Sequence, residues 1–170
     1  MQTSVASNLL HHLADDSAEI GHASVDDKAW LEELPLPLEL KRTLQWHWPT
    51  ESTQIGPIVF EPVSGIRSYP WTPALLRHQQ IPIGFGPNGD AFVCDFATDE
   101  CNVGFVTHEE YDGASNSRPF YQPTFRTLES YLHLVDMERY VPCDYYDARD
   151  FAEFLEAESN HSPFFRHKKA

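Results

Sequence analysis

Ile81-Pro82-Ile83-Gly84-Phe85-Gly86-Pro87-Asn88-Gly89-Asp90-Ala91-Phe92-Val93-Cys94-Asp95-Phe96 is the stretch that decides the fold. Gly84, Gly86 and Gly89 stand in the spacing G-x-G-x-x-G. A dinucleotide fingerprint sets such glycines between a strand and the first turn of a helix, whose free N–H groups hold the pyrophosphate. Here they run into Ala91 to Phe96, a short aromatic and β-branched run that closes at Ala97-Thr98-Asp99-Glu100 and reads as a strand. A kinase glycine loop does join two strands, but it needs a lysine on the second. No Lys occurs between Lys41 and Lys168, H-R-D and D-F-G are absent, and so is the Gly-Lys-Ser/Thr of a Walker loop. The remaining reading is a β-hairpin. Asn88-Gly89 suits the paired positive φ angles of a tight turn, and Gly84 and Gly86 allow a bulge or a close backbone approach.

Outward from this hairpin, Asn102 to His108 supplies a further strand. Ala91 to Phe96 is apolar at both alternations, which places it centrally in a sheet covered on both faces. Ile55 to Val63 carries Pro57 and Pro62, which lack ladder donors, so it is expected at an edge. The stretch through Trp71 reads as an irregular aromatic loop, Pro73 to Arg77 as weakly helical, and Tyr111 to Ser117 as a polar loop. Helices bracket the sheet. One is expected over roughly 5–18, with His11-His12 on its surface. Another is capped by Ser24, has Asp26-Asp27 in its first turn and presents Trp30, Leu31 and Leu34. A third runs from Pro37 to His47, with Leu38, Leu40, Leu44 and Trp48 as core contacts. The strongest opens at Thr124 as N-cap, spaces Phe125, Leu128, Leu132 and Val135 along one face, and cannot pass Pro142. A last helix covers roughly 146–158, with Phe151, Phe154 and Leu155 on one side. The order is α+β: a central, mostly antiparallel sheet of about four to six strands flanked by helices. The 170 residues suit a single domain.

Composition narrows the function. Twelve Lys and Arg against twenty-six Asp and Glu leave a net charge of −14. Such a surface repels nucleic acids and anionic membranes and favours basic proteins. No apolar stretch is long enough to span a bilayer, and Met1 to Val5 does not begin a secretory leader, so a cytoplasmic location is expected. Three cysteines, Cys94, Cys101 and Cys143, without C-x-x-C, suit free thiols in a reducing compartment; Cys94 and Cys101 could also meet across a hairpin as a redox pair.

Four features in this order resemble the SUKH superfamily, which includes bacterial toxin-immunity proteins and fungal cell-wall-synthesis regulators. They are Leu34-Pro35-Leu36-Pro37 entering a helix, the glycine turn and Gly-Asp-strand of Ile83 to Asp95, the strand Val103-Gly104-Phe105-Val106-Thr107 running into His108-Glu109, and Thr124-Phe125 leading to Leu128-Glu129-Ser130-Tyr131-Leu132. The likeness covers about residues 30–140, with 1–23 and 144–158 as helical additions. Trp46-His47-Trp48-Pro49 stands where the family often has Asn-Gly. The resemblance implies an α+β domain that binds another protein without catalysis.

Enzyme chemistry has few footholds. Cys94 or Cys101 with His108 is a conceivable nucleophile–base pair. The His residues show neither H-x-x-x-H nor H-E-x-x-H, and His47 and His78 stand alone in sequence. No catalytic residue, metal ligand or cofactor is therefore expected. The partner-binding set is the acidic window Asp90, Asp95, Asp99, Glu100, Glu109, Glu110, Tyr111 and Asp112, which holds no Lys or Arg and has Phe85 and Phe105 nearby. The strand turns are expected to gather these acids at one end of the sheet. The expected function is a non-catalytic immunity protein that binds a basic toxin domain, such as a nuclease, with no direct nucleic-acid or membrane contact. The alternatives are an interaction module of a regulatory or secretion assembly, and a small Cys-dependent hydrolase.

Overall fold

The computed structural model describes residues 4–14, 18–97, 100–109 and 119–158, the side chains of 152–158 excepted. In chain order the elements are α1 (Val5–Leu13), β1 (Ile20–Gly21), α2 (Val25–Glu33), α3 (Leu38–Trp46), β2 (Trp48–Pro49), β3 (Thr53–Ile55), β4 (Ile58–Phe60), α4 (Val63–Ser68), α5 (Thr72–Arg77), β5 (Gln80–Phe85), β6 (Ala91–Asp95), β7 (Asn102–Val106), β8 (Tyr121–Phe125), α6 (Leu128–Asp136) and α7 (Tyr145–Glu158). β3 to β8 form a six-stranded sheet in which each strand pairs antiparallel with its chain neighbour. β1 and β2 make a separate ribbon. The fold is α+β, with helices flanking a central sheet.

The glycine hairpin forms, by a longer turn than Asn-Gly suggests. Phe85 opposes Ala91, so five residues connect β5 and β6. Only Gly89 has a positive φ, +93°. Asn88 closes the loop from its side chain instead: its Oδ1 accepts from the Asp90 N–H at 3.0 Å and its Nδ2 donates to Asp90 Oδ2 at 3.0 Å. The register shifts between Pro82 and Gly84. That bulge accommodates a proline in a central strand, where its missing donor would otherwise break the ladder.

Several expectations change at the edges of the sheet. The single strand expected over 55–63 is a hairpin, β3 and β4, turning at Gly56-Pro57 with Gly56 at φ +61°. Pro62 lies beyond it and opens α4, a helix where an irregular loop was expected. Thr124 and Phe125 do not start a helix. They end β8, an edge strand carrying Pro123, and the cap of α6 is Thr127, whose Oγ1 accepts from the Ser130 N–H at 3.2 Å. Ser24 caps α2 as expected, accepting from the Asp27 N–H at 3.1 Å. Helix α1 stops at Leu13. Leu38, expected in the core, is 59% exposed, while Leu40, Leu44 and Trp48 are buried. His47, alone in sequence, has the ring centroid of His11 6.0 Å from its own. The Tyr111 to Ser117 loop, and Phe154 and Leu155 as side chains, lie outside the described part of the chain.

The sheet divides the interior. On the first face, Ile81, Ile83, Phe92, Cys94, Val103, Phe105 and Phe125 meet Leu10 of α1, Leu31 of α2, Leu44 of α3 and Tyr131 and Leu132 of α6. Tyr131 rests on Phe60, Phe92 and Phe125, with ring centroids 5.0–6.0 Å apart, and its hydroxyl donates to Ile55 O at 2.6 Å. Ala148 of α7 is fully buried in the same core. On the second face a smaller group, Ala91, Val93 and Val106, meets Ala74 and Leu75 of α5.

Candidate interface

The acidic window does not gather at one end. β6 runs between Asp90 and Asp95, and five strand residues span about 17 Å. Asp90 and Glu109 therefore sit at the glycine-turn end, and Asp95 and Glu100 at the β6–β7 hairpin end. Nor are they all surface groups: Asp90 is 0% and Asp95 2% exposed. Glu109 is exposed and accepts from the Tyr146 hydroxyl at 3.1 Å, and Glu100 is half-buried, with Oε1 3.5 Å from Arg126 Nη2. Asp99, Glu110, Tyr111 and Asp112 lie outside the described residues.

Asp90 is a junction, and its burial has a cause. Its Oδ1 accepts from the His108 N–H at 3.0 Å and lies 2.8 Å from His108 Nδ1. Its Oδ2 accepts from Asn88 and from the Tyr145 N–H at 2.9 Å. One carboxylate thus ties the β5–β6 turn, the end of β7 and the start of α7. Burial pushes the Asp90 carboxyl up, but the bonds from Tyr145, His108 and Asn88 outweigh it and hold the group below its usual range.

The glycines are packed against carbonyl oxygens. A Cβ on Gly84 would lie 2.5 Å from Val59 O, and one on Gly86 2.1 Å from Cys143 O. Phosphate binding needs converging N–H groups at such glycines, whereas these two positions bring neighbouring backbone close.

Cys94 and Cys101 lie at the other end of the strands from His108. Cys94 opposes Val103, three residues along β7 from Val106, so about 10 Å of strand and then Thr107 separate it from His108. A hydrogen bond with Cys101, then burial, pushes the Cys94 thiol well above its usual value. A protonated thiol is a poor nucleophile, and His108 is already engaged by Asp90. Burial, then Asp144 and Asp147, likewise raise the Cys143 thiol. Among the described residues no three His, Cys, Asp or Glu gather as a metal site. A cleft of about 400 Å³ lies elsewhere, between α2, β2 and α4, where Arg67 Nη1 is 3.2 Å from Asp27 Oδ1.

What sequence reasoning missed is the aromatic row on the second sheet face. Val59, Phe85, Ala91, Val106 and Tyr121 are successive register partners across five strands. Tyr69 stacks edge-on against Phe85 at 4.7 Å, and Trp71 lies 5.8 Å from Tyr69. Tyr69, Trp71, Phe85 and Tyr121 are all half-buried around the small second core. Phe120, beside Tyr121, is 53% exposed. The available signal was the run of aromatics at 69–71 and 120–121. Aromatics with one face dry and one face wet are the side chains that anchor protein interfaces.

No protein-family model matches the chain, and neither a curated protein nor a solved structure does.

Proposed function

We propose that this chain is a non-catalytic protein-binding domain of the immunity type, which neutralises a toxin by covering a basic, anion-preferring surface such as a nuclease cleft. The observation that carries the reading is the half-buried aromatic row on the second sheet face, in a chain with a net charge of −14. The aromatics supply buried anchor area, and the negative field speeds the approach of a basic partner. The SUKH-like order of motifs agrees with it, and so does the α+β architecture. A cytoplasmic site of action goes with this reading. Among the described residues no helix is long and apolar enough to cross a membrane.

The test is direct binding to the toxin domain encoded beside this chain, by titration calorimetry at several salt concentrations, together with protection of cells expressing that toxin. Binding that weakens as ionic strength rises, with cell protection, is the expected result. Absence of both binding and protection removes the immunity reading. A binding partner that is an envelope or scaffold component would move the chain to the interaction-module reading instead.

A further inference from the structure

Asn88-Gly89 closes the turn that carries the Asp90 junction, and Asn88 is the one asparagine of the sequence that precedes a glycine. Both residues are exposed, beside an Asp90 that is 0% exposed. Asn88 Oδ1 accepts from the Asp90 N–H, two residues on, at 3.0 Å. That bond bends the side chain back along the Gly89 peptide, as asparagine does in turns, and polarises the amide carbonyl at Cγ. Gly89 has no side chain, and a Cβ there would meet nothing nearer than His108 Nδ1 at 4.0 Å, its chain neighbours apart. The Gly89 N–H donates to Gly86 O at 3.0 Å. In an exposed turn such a bond opens locally at small cost, which frees the nitrogen.

We propose that Asn88 is a self-modification site, where the side-chain amide becomes a carboxylate and unfastens the start of α7. Gly89 N attacks Asn88 Cγ and closes a cyclic imide, and its proton passes to water. The Cγ–Nδ2 bond breaks, and the nitrogen leaves as ammonia with a proton taken from water. A water molecule then opens the imide. Attack at Cγ leaves an aspartate. Attack at the main-chain carbonyl leaves an isoaspartate, whose backbone runs through the former side chain. The reaction is intramolecular, between groups the turn holds together, and glycine least hinders the backbone rotation it needs. The product strikes the junction. Asn88 Nδ2 donates to Asp90 Oδ2 at 3.0 Å. A carboxylate in its place cannot donate, and it sets a second negative charge against a buried one, which disfavours both. Asp90 also accepts from the His108 N–H at 3.0 Å and the Tyr145 N–H at 2.9 Å, so the end of β7 and the start of α7 loosen with it. This inference stands independently of the partner-binding proposal.

The experiment is storage of the full chain at mildly alkaline pH, with a parallel sample at mildly acidic pH, where imide closure is slow. Peptide mapping by mass spectrometry, with isoaspartate detection, follows each asparagine, and hydrogen exchange follows the Tyr145 amide. Asn88 should convert sooner than Asn8, Asn102, Asn116 or Asn160, to a mixture of aspartate and isoaspartate, and faster in the alkaline sample. The converted chain should lose about 3 °C or more in Tm, and its Tyr145 amide should exchange about tenfold faster or more. Asn88→Asp should show both changes without storage. Asn88→Gln, whose longer side chain would have to close a larger ring, should stay unconverted. If Asn88→Asp does not fold, the converted fraction of the parent chain carries the same two readouts. An Asn88 that converts no sooner than the other asparagines, or a converted chain with the Tm and Tyr145 exchange of the fresh one, would overturn the proposal. So would aspartate without isoaspartate, which marks direct hydrolysis rather than attack by Gly89.

Discussion

The two faces of the central sheet use aromatic residues differently. On the first, Phe60, Phe92, Phe105, Phe125 and Tyr131 are fully buried and interlocked in edge-on and tilted pairs beneath helices. On the second, Tyr69, Trp71, Phe85 and Tyr121 are each half-buried around a core of five small and aliphatic residues. A fully buried ring contributes to folding through lost water contact and dense packing. A half-buried ring keeps part of that contribution in reserve for association. If a partner docks on the second face, the two faces separate stability from binding, and substitutions on each should report on different measurements.

The largest expected effect is on the first face. Tyr131→Ala empties the centre of the ring cluster and removes the donor to Ile55 O. It should cost about 3–5 kcal/mol of stability, measured by denaturant unfolding. A loss below about 1 kcal/mol would mean that this face is not what holds the sheet.

Asp90 comes next, because it joins elements rather than filling space. Asp90→Asn keeps the shape and removes the charge from the bonds that His108, Asn88 and Tyr145 donate. It should cost about 1–3 kcal/mol near neutral pH. The Asp90 carboxyl in the folded chain lies below its unfolded value. Its stabilisation is thus fully present above the unfolded carboxyl range, near pH 4, and fades as pH falls through the lower folded value. The deficit of Asp90→Asn should shrink over that window in acid denaturation curves. A deficit independent of pH would show that packing alone is at stake.

The same contrast explains what could be read from the sequence. Strands β5, β6 and β7 were legible, because a central strand is apolar at both alternations and the glycine turn between β5 and β6 has its own chemistry. β8 was not. Tyr121-Gln122-Pro123-Thr124-Phe125 mixes a proline with polar residues, as an edge strand tolerates, and Thr124 resembles a cap as well as Thr127 does. Register decided between them, since Phe125 opposes Val103. The acidic window failed for a similar reason. Charge is visible in sequence, but its burial is not. Asp90 and Asp95 look like surface acids until the His108 and Tyr145 bonds on one, and the bonds from Gln80 and the Ala97 N–H on the other, are seen. The aromatic row on the second face depends on pairing five strands in register, which no local pattern encodes.

The smallest effects on folding belong to the second face and its surroundings, and they are the sharpest test of the comparison. Phe120 is 53% exposed, so Phe120→Ser should change stability by no more than about 0.5 kcal/mol. If the aromatic surface is where a partner docks, the same substitution should weaken binding about tenfold or more, through faster dissociation. Glu109→Gln, at the exposed glycine-turn end, removes a charge and should act on the other rate. Association should slow by about twofold at low salt and by nothing measurable at high salt. Stopped-flow and surface-based kinetics on the two variants separate these outcomes. If Phe120→Ser left dissociation unchanged while Glu109→Gln changed it, the anchor would lie at the acidic end, and the half-buried rings would belong to the core.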